Sequence, residues 1–213
     1  MADDKLGVSG QLKLSQQLVM TPQLQLAIKL LSTSSAQLPA LIDDWRAAHP
    51  DSLVELAVGE PDPADARELA EADAYDQPPF HLLDDSPLPR EAPTDVWVFG
   101  NPPEIRANGR AFPRYKTTGA GEHEVAARWF VRALRSRTRT FEQVVRGMIT
   151  IRPEIAVAKD GKKLALVPVR GIADTIQMHE STVKRVVSAC RFQNVHGVFT
   201  LEARKFGIGI RPL

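Results

Sequence analysis

A single cysteine, Cys190, stands among the 213 residues, so no internal disulfide can form. That excludes a disulfide-stapled scaffold and fits the reducing cytoplasm. Aromatic residues are scarce, 6% of the chain, so the core is expected to be aliphatic. No apolar run approaches the ~18 residues of a membrane span, and no membrane partner is expected. The start, Met1–Lys5, is charged and lacks the apolar stretch of a secretory signal. Catalytic signatures are missing too. There is no phosphate-cradling GxxxxGK[ST] loop, and Gly119-Ala-Gly121 is a lone flexible loop. The five histidines, at 49, 81, 123, 179 and 196, have no metal-ligand spacing to one another or to Cys190. Carboxylates cluster only in a proline-rich stretch where nothing rigid would hold them for acid–base work. The expectation is a protein without enzymatic activity, metal or cofactor.

What is present is an ordinary globular composition, 43% hydrophobic and 25% charged, which excludes a collagen-like or wholly disordered chain. The net charge of +1 conceals three unlike blocks. Residues 1–56 carry 4 basic and 6 acidic side chains, residues 57–93 carry 2 and 10, and residues 94–213 carry 21 and 10. The last block, at +11, is the natural place for a polyanion partner; a well-solvated surface is the bland alternative. The middle block also holds 7 of the 16 prolines and reads as a disordered acidic linker.

In residues 9–56, Thr21-Pro22 reads as an N-cap with proline at the first helical position. Leu24, Ala27, Ile28 and Leu31 then recur at helical spacing. Ser34 and Gln37 have capping-box spacing for a second helix with the stripe Leu38, Leu41, Ile42 and Trp45, its first turn weakened by Pro39. This pair is too small to fold alone, so it docks either on its own domain or on a partner. Glutamines 11, 16, 17, 23 and 25, with spare apolar side chains at Leu18, Met20, Leu24, Ile28 and Leu31, suggest a partner surface over residues 10–31 rather than a core helix.

Residues 94–213 are expected to form a helical domain with a small β-hairpin. Asp95–Phe99 is a strand candidate, and Asn108-Gly109 is the expected hairpin turn. Residues 122–152 read as helical, with Val125, Trp129, Ala133 and then Val144, Val145 and Met148 at helical spacing. Thr140 and Gln143 suggest a break near Ser136–Thr140. Arg128, Arg132, Arg135 and Arg139 share one face. That basic stripe is either simply solvated or turned toward phosphate or an acidic protein.

The sharpest local pattern spans residues 168–190. Arg170–Ile176 and a second helix, Ser181–Cys190 capped by Ser181, flank a tight turn at Gln177–Glu180, which is helix-turn-helix spacing. The turn requires positive φ, which glycine meets freely and Gln177 meets at about 1 kcal/mol. Thr182, Lys184, Arg185 and Ser188 face outward, and such side chains reach phosphates and base edges in a major groove. His179 more naturally caps or packs there than binds metal.

Two distant segments resemble one family. Gly10–Leu31 (GQLKLSQQLVMTPQLQLAIKLL) is similar to the Gln- and Leu-rich N-terminal region of bacterial sigma-54 factors, and Met178–Arg185 (MHESTVKR) to their helix-turn-helix. Leu166–Asp174, Gly197–Leu201, Asp95–Val98, Pro113-Arg114 and Trp129–Leu134 agree in pattern. The resemblance covers roughly residues 9–56 and 94–206. It implies a transcription initiation factor that binds RNA polymerase core enzyme and promoter DNA, with initiation dependent on an AAA+ activator ATPase. It assigns activator or polymerase contact to Gln16, Gln17, Leu18, Met20, Thr21, Pro22, Gln23, Leu24, Gln25, Ile28 and Leu31. DNA contact falls on His179, Glu180, Ser181, Thr182, Lys184, Arg185 and Ser188. The family pattern also implies a shortened form, without the early part of the core-binding domain or the RpoN box. Gln177 replaces the usual glycine and Lys184 the usual serine. Two alternatives stand beside initiation: a truncated regulator competing for polymerase, activator or promoter, and a stand-alone helix-turn-helix repressor.

Overall fold

The computed structural model describes residues 21–50, 54–56, 94–108, 115–117, 122–161 and 164–213. The acidic linker at 57–93, the site residues Gln16, Gln17, Leu18 and Met20, and Gly109 of the expected turn lie outside the described residues. Helix α1 is Pro22–Ser32 and α2 is Leu38–Ala48. The predicted start of α1 is present: Thr21 Oγ1 accepts from the Leu24 amide at 3.3 Å, and Pro22 takes the first turn. Gln37 Oε1 accepts from the Ser34 amide and hydroxyl at 3.4 and 3.0 Å. The regular helix nevertheless begins only at Leu38. Pro39 therefore sits in the first turn, the part of a helix where proline is best tolerated.

The longest element, α3, is Glu122–Ile151, 30 residues without interruption. The break expected near Ser136–Thr140 is absent. Thr138 and Thr140 donate their hydroxyls to the carbonyls of Leu134 and Ser136, at 3.3 and 2.7 Å, so they continue the helix rather than cap a new one. Its buried face in the first half is Ala127, Phe130, Val131 and Leu134, while Val125 is 66% exposed and Trp129 and Ala133 are half-buried. The stripe drawn through Val125, Trp129 and Ala133 is thus rotated off the true one.

After a short 3-10 turn (Pro153–Val157) come α4 (Val169–Ile176) and α5 (Glu180–Val187). Strands β1 (Val54–Leu56), β2 (Val96–Phe99), β3 (Glu104–Ala107), β4 (Tyr115–Thr117), β5 (Arg191–Asn194), β6 (Gly197–Arg204) and β7 (Gly207–Pro212) complete the described elements. β1 and β4 form a separate antiparallel pair. The others form a mixed five-stranded sheet in the order β3-β2-β5-β6-β7, so the mainly α expectation holds only roughly and the sheet is much larger than a hairpin. β2 runs parallel to β5 and is buried along its whole length, as a central strand should be. The β2–β3 hairpin turns at Gly100, with φ +79°; the turn expected at Asn108-Gly109 follows β3 and runs outside the described residues. Asn108 donates its side-chain amide to the Thr94 carbonyl at 2.8 Å.

Two cores share α3. Its first half packs with Leu30, Leu38, Leu41, Ile42 and Trp45, and Trp45 stacks on Phe130 with ring centroids 4.2 Å apart. Its second half, from Phe141 to Ile149, packs with the sheet, α4 and α5. Gly147 lets α4 approach: an added Cβ would stand 2.8 Å from Ile176 Cγ2. Among the described residues, no helix is long and apolar enough to cross a membrane.

Candidate functional site

Helices α4 and α5 are joined by Gln177, Met178 and His179. Gln177 adopts φ 54°, ψ 44°, the left-handed conformation that the turn was expected to demand. The Met178 amide reaches back to the Ala173 carbonyl at 2.9 Å, closing α4 as glycine-capped helices are closed. Gln177→Gly is expected to raise stability by about 0.5–1 kcal/mol, since relief of the positive-φ strain outweighs glycine's extra unfolded-state entropy. Urea unfolding checks this, and an unchanged or lower midpoint would contradict it.

Of the two caps expected at the start of α5, the one at His179 is present and the one at Ser181 is not. The helix starts at Glu180, and His179 is the N-cap: its Nδ1 accepts from the Ser181 amide at 3.1 Å. Ser181 is capped rather than capping. The helix also ends at Val187 rather than Cys190. Ile172 and Ala173 of α4 and Val183, Val186 and Val187 of α5 are buried in the main core. That leaves Ser181, Lys184, Arg185 and Ser188 at i, i+3, i+4 and i+7 on the outer face. Lys184 and Ser188 are exposed, while Arg185, Ser181 and Thr182 are half-buried. Lys184 lies 3.7 Å from Glu180, Arg185 donates weakly to Ser181 Oγ at 3.5 Å, and Ser188 Oγ donates to the Arg185 carbonyl at 2.7 Å. Two cations are thereby held over a hydroxyl-lined surface, the kind that hydrogen-bonds phosphates and base edges.

Arg128, Arg132, Arg135 and Arg139 are all exposed on α3, and the helix's continuity puts them on one face. Arg128 is paired with Glu124. Of the N-terminal site residues, Thr21, Pro22, Gln23, Leu24 and Gln25 are exposed and Ile28 is half-buried. Leu31 packs against the main core and Leu30 is buried against α3, so the expectation that this segment stays out of the core fails for its C-terminal half. α1 packs against both α3 and α5, because its apolar side chains find the apolar faces those helices leave open.

The sequence reading missed Arg137, which is 1% exposed. Its Nε donates to the Leu30 carbonyl at 2.9 Å and its Nη2 to the Thr33 carbonyl at 2.6 Å, capping the end of α1. Its guanidinium lies 3.6 Å from Asp95 Oδ1 and 4.1 Å from the Phe141 ring centroid. Asp95, at the foot of β2, also accepts from Ser35 Oγ and, at 2.8 Å, from the Arg191 amide that opens β5. Burial pushes the Asp95 carboxyl above its ordinary range; Arg137, Ser35 and the Arg191 amide pull it back. Burial likewise lowers the Arg137 guanidinium against the pull of Asp95. Cys190 next to them is buried, and its thiol is raised well above the usual value. A signal existed: Ala127, Phe130, Leu134, Phe141, Val144 and Met148 keep a three–four repeat in which Arg137 takes an apolar place. Among the described residues, no cluster of His, Cys, Asp or Glu could hold a metal ion.

Residues 119–208 match the family described as Sigma-54, DNA binding domain, and residues 11–45 match Sigma-54 factor, Activator interacting domain. The chain is 31% identical over 75 residues to an RNA polymerase sigma-54 factor of Bacillus subtilis (strain 168), covering 35% of this chain and 17% of that protein. It is 39% identical over 62 residues to an RNA polymerase sigma-54 factor of Acidithiobacillus ferridurans, covering 29% of this chain and 13% of that protein. The matched stretches thus span less than a fifth of either relative.

Proposed function

The chain belongs to the sigma-54 family of transcription factors, which are not enzymes, and we propose that it binds promoter DNA and RNA polymerase core and initiates transcription on the command of an AAA+ activator. The observation that carries this reading is the α4–α5 unit: a helix-turn-helix with a left-handed turn residue and an outward face of Ser181, Lys184, Arg185 and Ser188. In this reading α5 enters the major groove, and Lys184 in place of the usual serine adds a phosphate contact beside Arg185. Thr21–Gln25, exposed on the outer end of α1, and the segment before it face the activator or polymerase. The α3 arginine stripe faces polymerase or phosphate.

Reconstituted transcription tests the proposal. The full chain is mixed with core polymerase and a promoter fragment that it retains, with and without activator and ATP. Transcript only in the presence of activator and ATP is the expected result. Retention of promoter and polymerase without any transcript would overturn initiation and favour a competing regulator. Retention of DNA without polymerase would favour a stand-alone repressor.

A further inference from the structure

We propose that the β6–β7 hairpin is a second DNA-contacting element, a wing that lays the Phe206 ring and the Lys205 ammonium against the duplex at the edge of the site occupied by α5. The inference rests on the reading of α4–α5 as a DNA-binding unit and adds a contact that this reading does not include.

The topology brings the hairpin there. β5 begins at Arg191, directly after the end of the α5 segment, and Arg191 pairs with Thr200 of β6. β6 continues for four further residues to Arg204, so the tip projects past the start of β5, on the side from which the chain leaves α5. α5 itself packs against β6. The return strand is tied to the other helix: the Val167 amide donates to the Ile208 carbonyl at 2.9 Å and the Ile208 amide to the Val167 carbonyl at 2.8 Å. Val167 lies two residues before the first residue of α4. Gly207 permits that approach, with φ +154° and an added Cβ standing 2.6 Å from the Val167 carbonyl oxygen. The tip is therefore held beside the start of α4. In a helix-turn-helix complex the first helix crosses the DNA backbone, so this location meets the sugar–phosphate edge.

The chemistry of the tip suits that edge. Phe206 is 77% exposed, and the described contacts assign it no place in either core. The Lys205 Nζ lies 5.4 Å from its ring centroid, so a cation and a flat apolar face travel together. Of the charges near the tip, Arg204 pairs with Glu202 at 2.8 Å and Arg170 in the first turn of α4 lies 3.8 Å from Asp174, so Lys205 is the cation set against the Phe206 ring. Exposed aromatic or apolar side chains beside cations are used against the minor groove or unstacked bases, with the cation on a phosphate.

The test uses the full chain and a labelled duplex that the chain itself enriches from a random-sequence pool. Phe206→Ala is expected to weaken binding roughly tenfold. Lys205→Ala is expected to weaken it about threefold and to reduce the salt slope by about 1. Both variants should keep the wild-type unfolding midpoint. A Lys184→Ala/Arg185→Ala variant is measured in parallel. If it loses affinity while both tip variants bind like wild type, the wing is overturned and the helix-turn-helix reading stands. If the tip variants lose affinity and the α5 variant does not, the hairpin contacts DNA but not as a wing beside α5, and both the wing and the reading of α5 fall. Failure to enrich any duplex overturns both.

Discussion

Replacing Arg137 with alanine is expected to destabilise the protein by about 3–5 kcal/mol, because it leaves the buried Asp95 carboxylate without its counter-charge. It also removes two bonds to the last carbonyls of α1. Folding stabilities of domains this size are about 5–15 kcal/mol, so the loss is a large share of the total. The deficit should depend on pH. Without the guanidinium, the folded Asp95 carboxyl titrates still further above its unfolded value. A carboxyl raised in this way contributes stability below the ordinary carboxylate range and loses it as pH rises toward the folded value. The variant should therefore lie closer to wild type near pH 4 than near pH 7. Denaturant unfolding at the two values measures this, and the Cys190 thiol gives a second readout. It is buried beside the pair and should react with a thiol reagent faster in the variant. An Arg137→Met/Asp95→Asn double variant should recover part of the loss, since an uncharged pair has no desolvation to offset. Equal stability of Arg137→Ala and wild type at pH 7 would show that the pair is not an ionised one.

Arg185→Ala is expected to weaken duplex binding by ~1–3 kcal/mol and to relax preference at one base pair, if the guanidinium reads a base edge. Lys184→Ala should weaken binding evenly across sequences and reduce the salt slope by about 1, as loss of a phosphate contact does. Neither side chain is in the core, so folding stability should stay near wild type. Affinity measured at several salt concentrations, on the preferred duplex and on single-base variants of it, separates the two roles. Identical binding by wild type and the double alanine variant would remove α5 from the DNA interface.

Much of the local structure of α1 and of the helix-turn-helix is legible in the sequence, because its determinants lie within a few residues of one another. Thr21-Pro22 sets the start of α1 through its own side chain and ring. The spacing of Ile172, Ala173, Val183 and Val186 requires two helices and a turn, and that turn forces positive φ on Gln177 whatever surrounds it. His179 caps α5 as expected of it, while the cap expected of Ser181 fails: serine has the stronger intrinsic preference, but the backbone path decides which of the two precedes the helix.

The sheet, the unbroken α3 and the Arg137–Asp95 pair were decided by tertiary structure. β2 and β5 are neighbours across about ninety residues of chain, and a parallel pair of four-residue strands has no turn signal to announce it. Ser136–Thr140 carries cap-forming residues, but packing of α1 and α2 on one half of α3 and of α4, α5 and the sheet on the other keeps the helix going through them. Whether α1 would meet a partner or its own domain depended on an apolar face about a hundred residues away. What the sequence determined by itself is therefore the start of α1, the positive-φ turn at Gln177, the family, and Lys184, Arg185 and Ser188 on the outer side of α5. What only the assembled fold decided is which distant surfaces bury one another, since that follows from shape and area rather than from any neighbouring residue.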